Sequence, residues 1–492
     1  MLLRQIYDDK LSQYAYLIGC QQTGEALLID PERDVDRYTA VAASEGLDIV
    51  AVAETHIHAD FLSGARELAE LRGSRLYLSD EGDADWKYEW AKDGAYDAVL
   101  LRDGDTFEIG KISIQAVHTP GHTPEHLAYL ITDRGGGATE PMGLASGDFV
   151  FVGDLGRPDL LETAANVKGA MEPSARRLYA SVQGFLGLPD YLQVWPAHGA
   201  GSACGKALGA VPETTVGYEK RFSPALHAAA GGEEAFVSFI LEGQPEPPLY
   251  FARMKRDNRR GPPLLGALPR PERLGAEGLA DLATERPGEV ATGEGRVVID
   301  TRTDRSAFMA GHLRGSLYAP LDRAFNTAVG SVLEDETLPV VLIVEEARLE
   351  EAVRDLVRIG YDRIEAWAEP GTLETYLLGG GEAASIEAID FREVRRRIGA
   401  DGSLLLDVRF AAEFAAGHVP EAVHLPYTRL PTRVGELPRD RTLLVHCASG
   451  ARAAVAAAYL AREGFEVSYV DDAFAAFREI GREESAATAS SG

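Results

Sequence analysis

Short apolar runs alternate with stretches whose apolar residues recur every three or four positions, from the first residues to about residue 245. "YAYLIG", "EALLID", "DIVAVAE", "KISIQAV", "EHLAYLI" and "LQVWPAH" read as strands. "DVDRYTAVAASEG" and "SGARELAELRG" read as helices. The pattern then breaks at "QPEPPLYFARMKRDNRRGPPLLGALPRPERL", which is rich in proline and arginine and shows no period. Such a stretch, residues 246–273, is expected to be a linker lying across a surface.

Beyond it the chain repeats itself. "VVIDTRTDRSAFMAGHLRGSLYAP", from Val297, and "LLLDVRFAAEFAAGHVPEAVHLP", from Leu404, share a strand, Asp-x-Arg, a Phe, Gly-His and a closing Pro. Each continues into an apolar strand and then a helix, "LEEAVRDLVRIGY" and "RAAVAAAYLAREGF". The expected division is therefore residues 1–245, a linker at 246–273, and two α/β domains at 274–378 and 386–483 joined through "LLGGGEAAS". The tail "ESAATASSG" is small and polar and is expected to lack fixed structure.

Composition narrows the class. A chain of 492 residues with 45% hydrophobic and 26% charged positions suits a multidomain globular protein. Its net charge of −28 repels phosphates, so nucleic acid is not an expected partner. No apolar run reaches the ~18–20 residues of a membrane span. "MLLRQIYDDK" meets charge too early for a signal peptide, and a cytoplasmic location without membrane attachment is expected. Cys20, Cys204 and Cys447 form no CxxC pair and suit a reducing compartment. Cys20 ends an apolar strand and reads as a core residue.

Chemistry concentrates at strand ends in the first 245 residues. His56, His58 and Asp60 follow "DIVAVAET", His122 lies in "HTPGHTPEH", Asp148 in "LASGDF" and His198 in "VWPAHG". Loops at strand ends on a rigid sheet are where metal sites are commonly built. HxHxD, GH and SGD in this order resemble the metallo-β-lactamase superfamily, which implies an αββα sandwich. Phe61 stands where dinuclear zinc hydrolases of that superfamily carry a further His, and a phenyl ring has no lone pair for a second metal. What remains, two His and one carboxylate, is the facial arrangement of non-haem Fe(II) oxygenases. The region is similar to the persulfide dioxygenases, above all those fused to rhodanese domains, through "GDFVFVGDLGRPDL" and "PAHGAGSACGK". That resemblance implies one mononuclear Fe(II) on His56, His122 and Asp148. His58, Asp60 and His198 would then orient ligands and water. Arg157, in "GDLGRPD", is a candidate for meeting an acidic group of the thiol carrier, with a surface salt bridge as the alternative. Cys204 either touches the substrate sulfur or fills buried space.

The second repeat carries its own chemistry. "LLVHCASGARAAV" places Cys447 between a buried strand and a helix, where backbone N–H groups and the helix N-terminus favour the thiolate. Arg452 offers a planar fork for an oxyanion. Only four residues separate Cys447 from Arg452, against five in the tyrosine phosphatases, and the smaller loop suits a sulfane sulfur. With Asp407, Arg409, Gly417 and His418 this resembles a rhodanese. In the first repeat, counting back from Gly360 against Gly464 sets Ile343, beside Val344, opposite Cys447 and Arg348 opposite Arg452. Neither Ile343 nor Val344 can carry sulfur, and Glu345 and Glu346 repel anions, so residues 274–378 resemble an inactive rhodanese used for packing, spacing or dimerisation.

Together the resemblances imply an α/β multidomain enzyme: an αββα metallo-β-lactamase sandwich followed by two rhodanese-like domains. The implied function is oxidation of a low-molecular-weight thiol persulfide by O2 to sulfite, with sulfur transfer at Cys447 giving thiosulfate, as in sulfide detoxification. A homo-oligomer of two or four copies is expected. Two other readings stand beside it: a zinc thioester hydrolase similar to glyoxalase II, fused to a sulfurtransferase, and a non-catalytic persulfide relay.

Overall fold

The computed structural model describes the chain except residues 93, 164–168, 285–294, 399–401, 478 and 480–492. The C-terminal "ESAATASSG" lies outside the described residues. The chain divides into two compact units: Met1–Leu268 with Val357–Gly360, and Pro269–Leu356 with Tyr361–Gly492.

The first unit is built on two six-stranded sheets. One runs in chain order through Leu2–Asp8, Gln13–Cys20, Glu25–Ile29, Asp48–Ala53, Arg75–Ser79 and Ala98–Leu101. The other is formed by Thr106–Ile109, Ile112–His118, Leu127–Asp133, Gly143–Gly147, Gln193–Pro196 and Thr214–Thr215. Tyr16, Ile18, Leu27, Ile29, Phe107, Ile114, Tyr129 and Trp195 pack between the sheets. Alternate residues of the same strands, Ala15, Leu17, Ala26 and Leu28, face outward instead, against the helices Asp36–Ser44 and Ala65–Arg72. The helix Met171–Leu186 covers the second sheet through Ala175, Leu178, Val182 and Phe185. Burial on both faces explains why the strands read as nearly unbroken apolar runs. The result is the expected αββα sandwich. Cys20 lies buried in the inter-sheet core.

The stretch read as an irregular linker contains an α-helix, Tyr250–Arg260, with Tyr250, Phe251, Met254, Lys255 and Asn258 buried. Burial of Tyr250, Phe251 and Met254 supports the order that the flanking prolines and arginines disguise.

The second unit holds two five-stranded parallel sheets of identical strand order. In one, Val297–Asp300 pairs with Val340–Ile343 so that Asp300 faces Ile343. In the other, Leu404–Asp407 pairs with Leu443–His446 so that Asp407 faces His446. Strand register thus puts Ile343 in the place of His446, and Val344 in the place of Cys447. Counting from the downstream glycines was off by one because the two loops between strand and helix differ locally. No helix among the described residues is long and apolar enough to cross a membrane.

Candidate active site

Hydrogen bonds at Nδ1 aim the imidazoles. Thr55 Oγ1 donates to Asp30 Oδ2 at 2.8 Å and therefore accepts from His56 Nδ1, 2.9 Å away. His122 Nδ1 donates to the Arg157 carbonyl at 3.0 Å, and His198 Nδ1 to the Ser12 carbonyl at 3.2 Å. Each ring is left with an Nε2 lone pair directed inward, toward Asp148. His122 Nε2 and His56 Nε2 lie 3.4 Å and 3.9 Å from Asp148 Oδ2, and His198 Nε2 lies 3.4 Å from Oδ1. Burial, helped for His56 by the cationic His58, holds both imidazoles well below their usual protonation range. They are neutral, as ligands must be.

The carboxylates are the complement. Asp148 and Asp60 are buried, and burial pushes each up to about 6. Both oxygens of Asp148, one of Asp60 and Nε2 of His198 lack a hydrogen-bond partner among the described residues. Lone pairs facing carboxylates in a dry pocket are costly unless a cation sits among them. Ligand atoms of His56, His122 and Asp148 come within 4.8 Å of one another, as do those of Asp60, His198 and Cys204. The donor set fits a metal ion.

His58 turns to Asp30 at 3.2 Å and Glu54 at 3.3 Å, and Asp30 in turn holds the Thr55 that meets His56. Burial alone would lower His58, but these carboxylates hold it well above its ordinary value. Phe61 stacks on it with ring centroids 4.3 Å apart. Cys204 is buried beside Asp60 and His198, and burial with the charges of Asp148 and Asp60 raises its thiol, which stays protonated.

In the second unit Cys447 is buried at the end of Leu443–His446, ahead of the helix Ala451–Arg462. Gly450 takes the left-handed conformation, φ 89°, that turns the loop into that helix. Arg409 forks onto Asp407, with Nη2 to Oδ2 at 2.6 Å. Arg452 forks onto Glu413 at 2.5 and 2.8 Å, so the guanidinium read as an open oxyanion fork is already bound to a carboxylate. At the matching place in the other repeat, Arg348 pairs with Glu351 at 2.7 Å.

The Metallo-beta-lactamase superfamily profile matches residues 8–198 and the rhodanese-like domain profile residues 390–480. A solved structure titled metallo-beta-lactamase, from Staphylococcus aureus subsp. aureus COL, is 39% identical, covers 75% of this chain and 99% of its own, and superposes with a TM-score of 0.65. The chain belongs to the metallo-β-lactamase superfamily. It carries a rhodanese-like domain at its C-terminal end. Among curated relatives, the bovine (Bos taurus) protein named persulfide dioxygenase ETHE1, mitochondrial, is 29% identical over 203 residues, 40% of this chain and 68% of its own. A beta-lactamase hydrolase-like protein of Xylella fastidiosa is 29% identical over 255 residues, 47% of this chain, which spans 53% of that relative's length.

Several residues of this metallo-β-lactamase region were not visible in the sequence. Asp30 holds Thr55 N and Oγ1 at 2.7 and 2.8 Å. His126 Nε2 accepts from the Asp148 amide at 3.0 Å. Asn258, on the helix Tyr250–Arg260, donates to the carbonyls of His58 and Phe61 at 2.9 and 2.7 Å and accepts from Ser63 N at 2.9 Å. Among the described residues, Asp30 and Ser12 are the non-glycine positions with positive φ, 51° and 54°; Asp30 meets Thr55 and Ser12 meets His198. Arg157 is buried, forks onto Asp159 at 2.6 and 2.8 Å and donates to the Ala203 carbonyl at 3.0 Å, so its ion pair lies in the interior and not at the surface, and it braces the loops of His122 and Cys204.

Proposed function

We propose that the chain is a persulfide dioxygenase joined to a sulfurtransferase, with one mononuclear non-haem Fe(II) held by His56, His122 and Asp148. The observation that carries this reading is the pairing, in one chain, of an inward-facing two-His, one-carboxylate set with the Cys447 loop. The facial donor set leaves positions open for substrate and O2, and the printed name of the bovine relative supports the substrate class. Bound iron would supply the activation of O2. The protein residues keep the ligands neutral and aimed, exclude water and hold the Cys204 proton beside Asp148. The overall reaction is R–S–SH + O2 + H2O → R–SH + SO3²⁻ + 2H⁺; the outer sulfur loses four electrons and O2 gains them.

Cys447 performs the second reaction. Its thiolate attacks the outer sulfur of another persulfide, the S–S bond of R–S–SH breaks, and R–S⁻ leaves with the electron pair as the thiol. Sulfite then attacks the sulfur now on Cys447, the Cys447–sulfur bond breaks, and thiosulfate leaves. On this reading residues 386–483 are the active rhodanese domain, and 274–378 an inactive one because Val344 stands in the cysteine's place. Carrying both modules in one chain gives each an effective concentration at the other on the order of mM. Three unpaired cysteines fit a cytoplasmic enzyme, and a homo-oligomer of two or four copies is part of the proposal.

A second reading has specific support. Asp60, His198 and Cys204 cluster next to Asp148, and a second ion there would suit a dinuclear zinc hydrolase. Metal analysis of the purified chain separates the two. The first reading expects about one iron per chain and oxygen uptake with thiol persulfides; two zinc ions and thioester hydrolysis without oxygen uptake would replace it with the second.

A further inference from the structure

Arg452, the arginine that the active repeat places on the Cys447 loop, is already forked onto Glu413. A sulfur oxyanion approaching Cys447 therefore meets a neutralised ion pair there. A second cation comes from the other repeat, paired with a carboxylate along one edge only. Arg305 opens the helix Arg305–Ala310 and reaches the loop of the active repeat. Its Nε and Nη2 both lie on a single oxygen, Asp471 Oδ1, at 3.0 and 2.8 Å, which Tyr469 OH shares at 2.9 Å. Among the described residues Nη1 has no hydrogen-bond partner, and the side chain is 37% exposed.

Gly450 shows how close this group lies. A Cβ added there would come within 2.6 Å of Tyr469 OH, 3.1 Å of Asp471 Oδ1 and 3.2 Å of Arg305 Cζ. The guanidinium thus abuts the backbone of the loop that runs from Cys447 to Arg452. The charge of Cys447 is among the influences that stabilise the Arg305 cation, after Tyr469 and Asp471 and against burial. A planar guanidinium with one free edge can take a sulfonate-type oxyanion through two oxygens.

We propose that Arg305, supplied by the repeat without a cysteine, is the specificity residue that receives the sulfur oxyanion, sulfite or thiosulfate, at the Cys447 site. This rests on reading Cys447 as the sulfur carrier. It gives the inactive repeat a chemical task, because the active repeat has Ala412 at the equivalent distance after its Asp-x-Arg.

The test uses the full chain with thiosulfate as donor and cyanide as acceptor. The Cys447 thiolate takes the outer sulfur as the S–SO3 bond breaks and sulfite leaves with the pair; cyanide then attacks that sulfur, forming thiocyanate and restoring the thiolate. Arg305→Gln should raise the KM for thiosulfate about ten-fold with kcat within two-fold. Arg305→Lys should recover part of the loss, and the KM for the persulfide of 2-mercaptoethanol, which carries no sulfonate, should stay unchanged. An unchanged thiosulfate KM, or an equal rise with the donor that lacks a sulfonate, overturns the proposal. A readout independent of turnover is the labelling of Cys447 by anionic iodoacetate against neutral iodoacetamide, followed by peptide mass spectrometry. Arg305→Gln should slow only the anionic reagent, and an unchanged ratio of the two rates counts against Arg305. If the parent chain and Cys447→Ser transfer sulfur equally, the reading of Cys447 fails, while the labelling ratio still decides whether Arg305 receives anions.

Discussion

Asp148 concentrates the stress of the metal pocket in one residue. Buried without hydrogen-bond partners, its carboxyl is pushed up to about 6, against about 3.9 for an unfolded chain. A carboxyl raised in this way favours the folded state fully below about pH 4, and that contribution is lost as pH rises through about 6. The metal-free Asp148→Asn chain should therefore be more stable than the metal-free parent at pH 7.5, by up to about 3 kcal/mol, and the gap should close at pH 4. Thermal unfolding after chelation measures this, and equal melting at both pH values would remove the buried charge from the account. Added metal should stabilise the parent and not the variant. Cys204 makes a second case. Its protonated thiol lies beside the Asp148 carboxyl, so Cys204→Ala should slow oxygen uptake about ten-fold while Cys204→Ser, which keeps a polar hydrogen there, loses less. Equal rates for both variants and parent would make Cys204 buried filler. The proposed ligands could be picked out along the sequence because HxHxD, GH and SGD keep local spacing. Asp30 and His126 were not, since each acts through a hydrogen bond to a residue distant in sequence.

Among the elements, the helix Tyr250–Arg260 was the one misread. Its apolar positions Tyr250, Phe251 and Met254 are few, and the arginines and flanking prolines around them match the composition of a linker. Only the fold shows that Asn258 satisfies three backbone groups of the ligand loop. Asn258→Ala should destabilise the chain by about 3 kcal/mol and weaken metal binding about 10- to 100-fold. Denaturant titration and metal competition read the two effects, and a variant with parental metal affinity would uncouple this helix from the site. The strands were easier to see, because burial on both faces leaves long apolar runs. The place of Val344 needed strand register: counting along the chain fixed the repeat only to within one residue.

For the molecule as a whole, the account divides labour between two sites in one chain. The family and the αββα and rhodanese-like architecture could be read from motifs. The pairing of Arg452 with Glu413 and the reach of Arg305 could not, since both depend on tertiary packing. The division of labour is tested most directly by the products formed from a thiol persulfide and O2, with sulfite and thiosulfate quantified by thiol-reactive labelling and chromatography. The parent chain should yield mostly thiosulfate. Cys447→Ser should consume oxygen at a similar rate and accumulate sulfite, because the repeat with Val344 has no thiol to replace the one lost. Thiosulfate formed by Cys447→Ser at the parental rate would contradict the two-site account and assign both steps to the metal pocket.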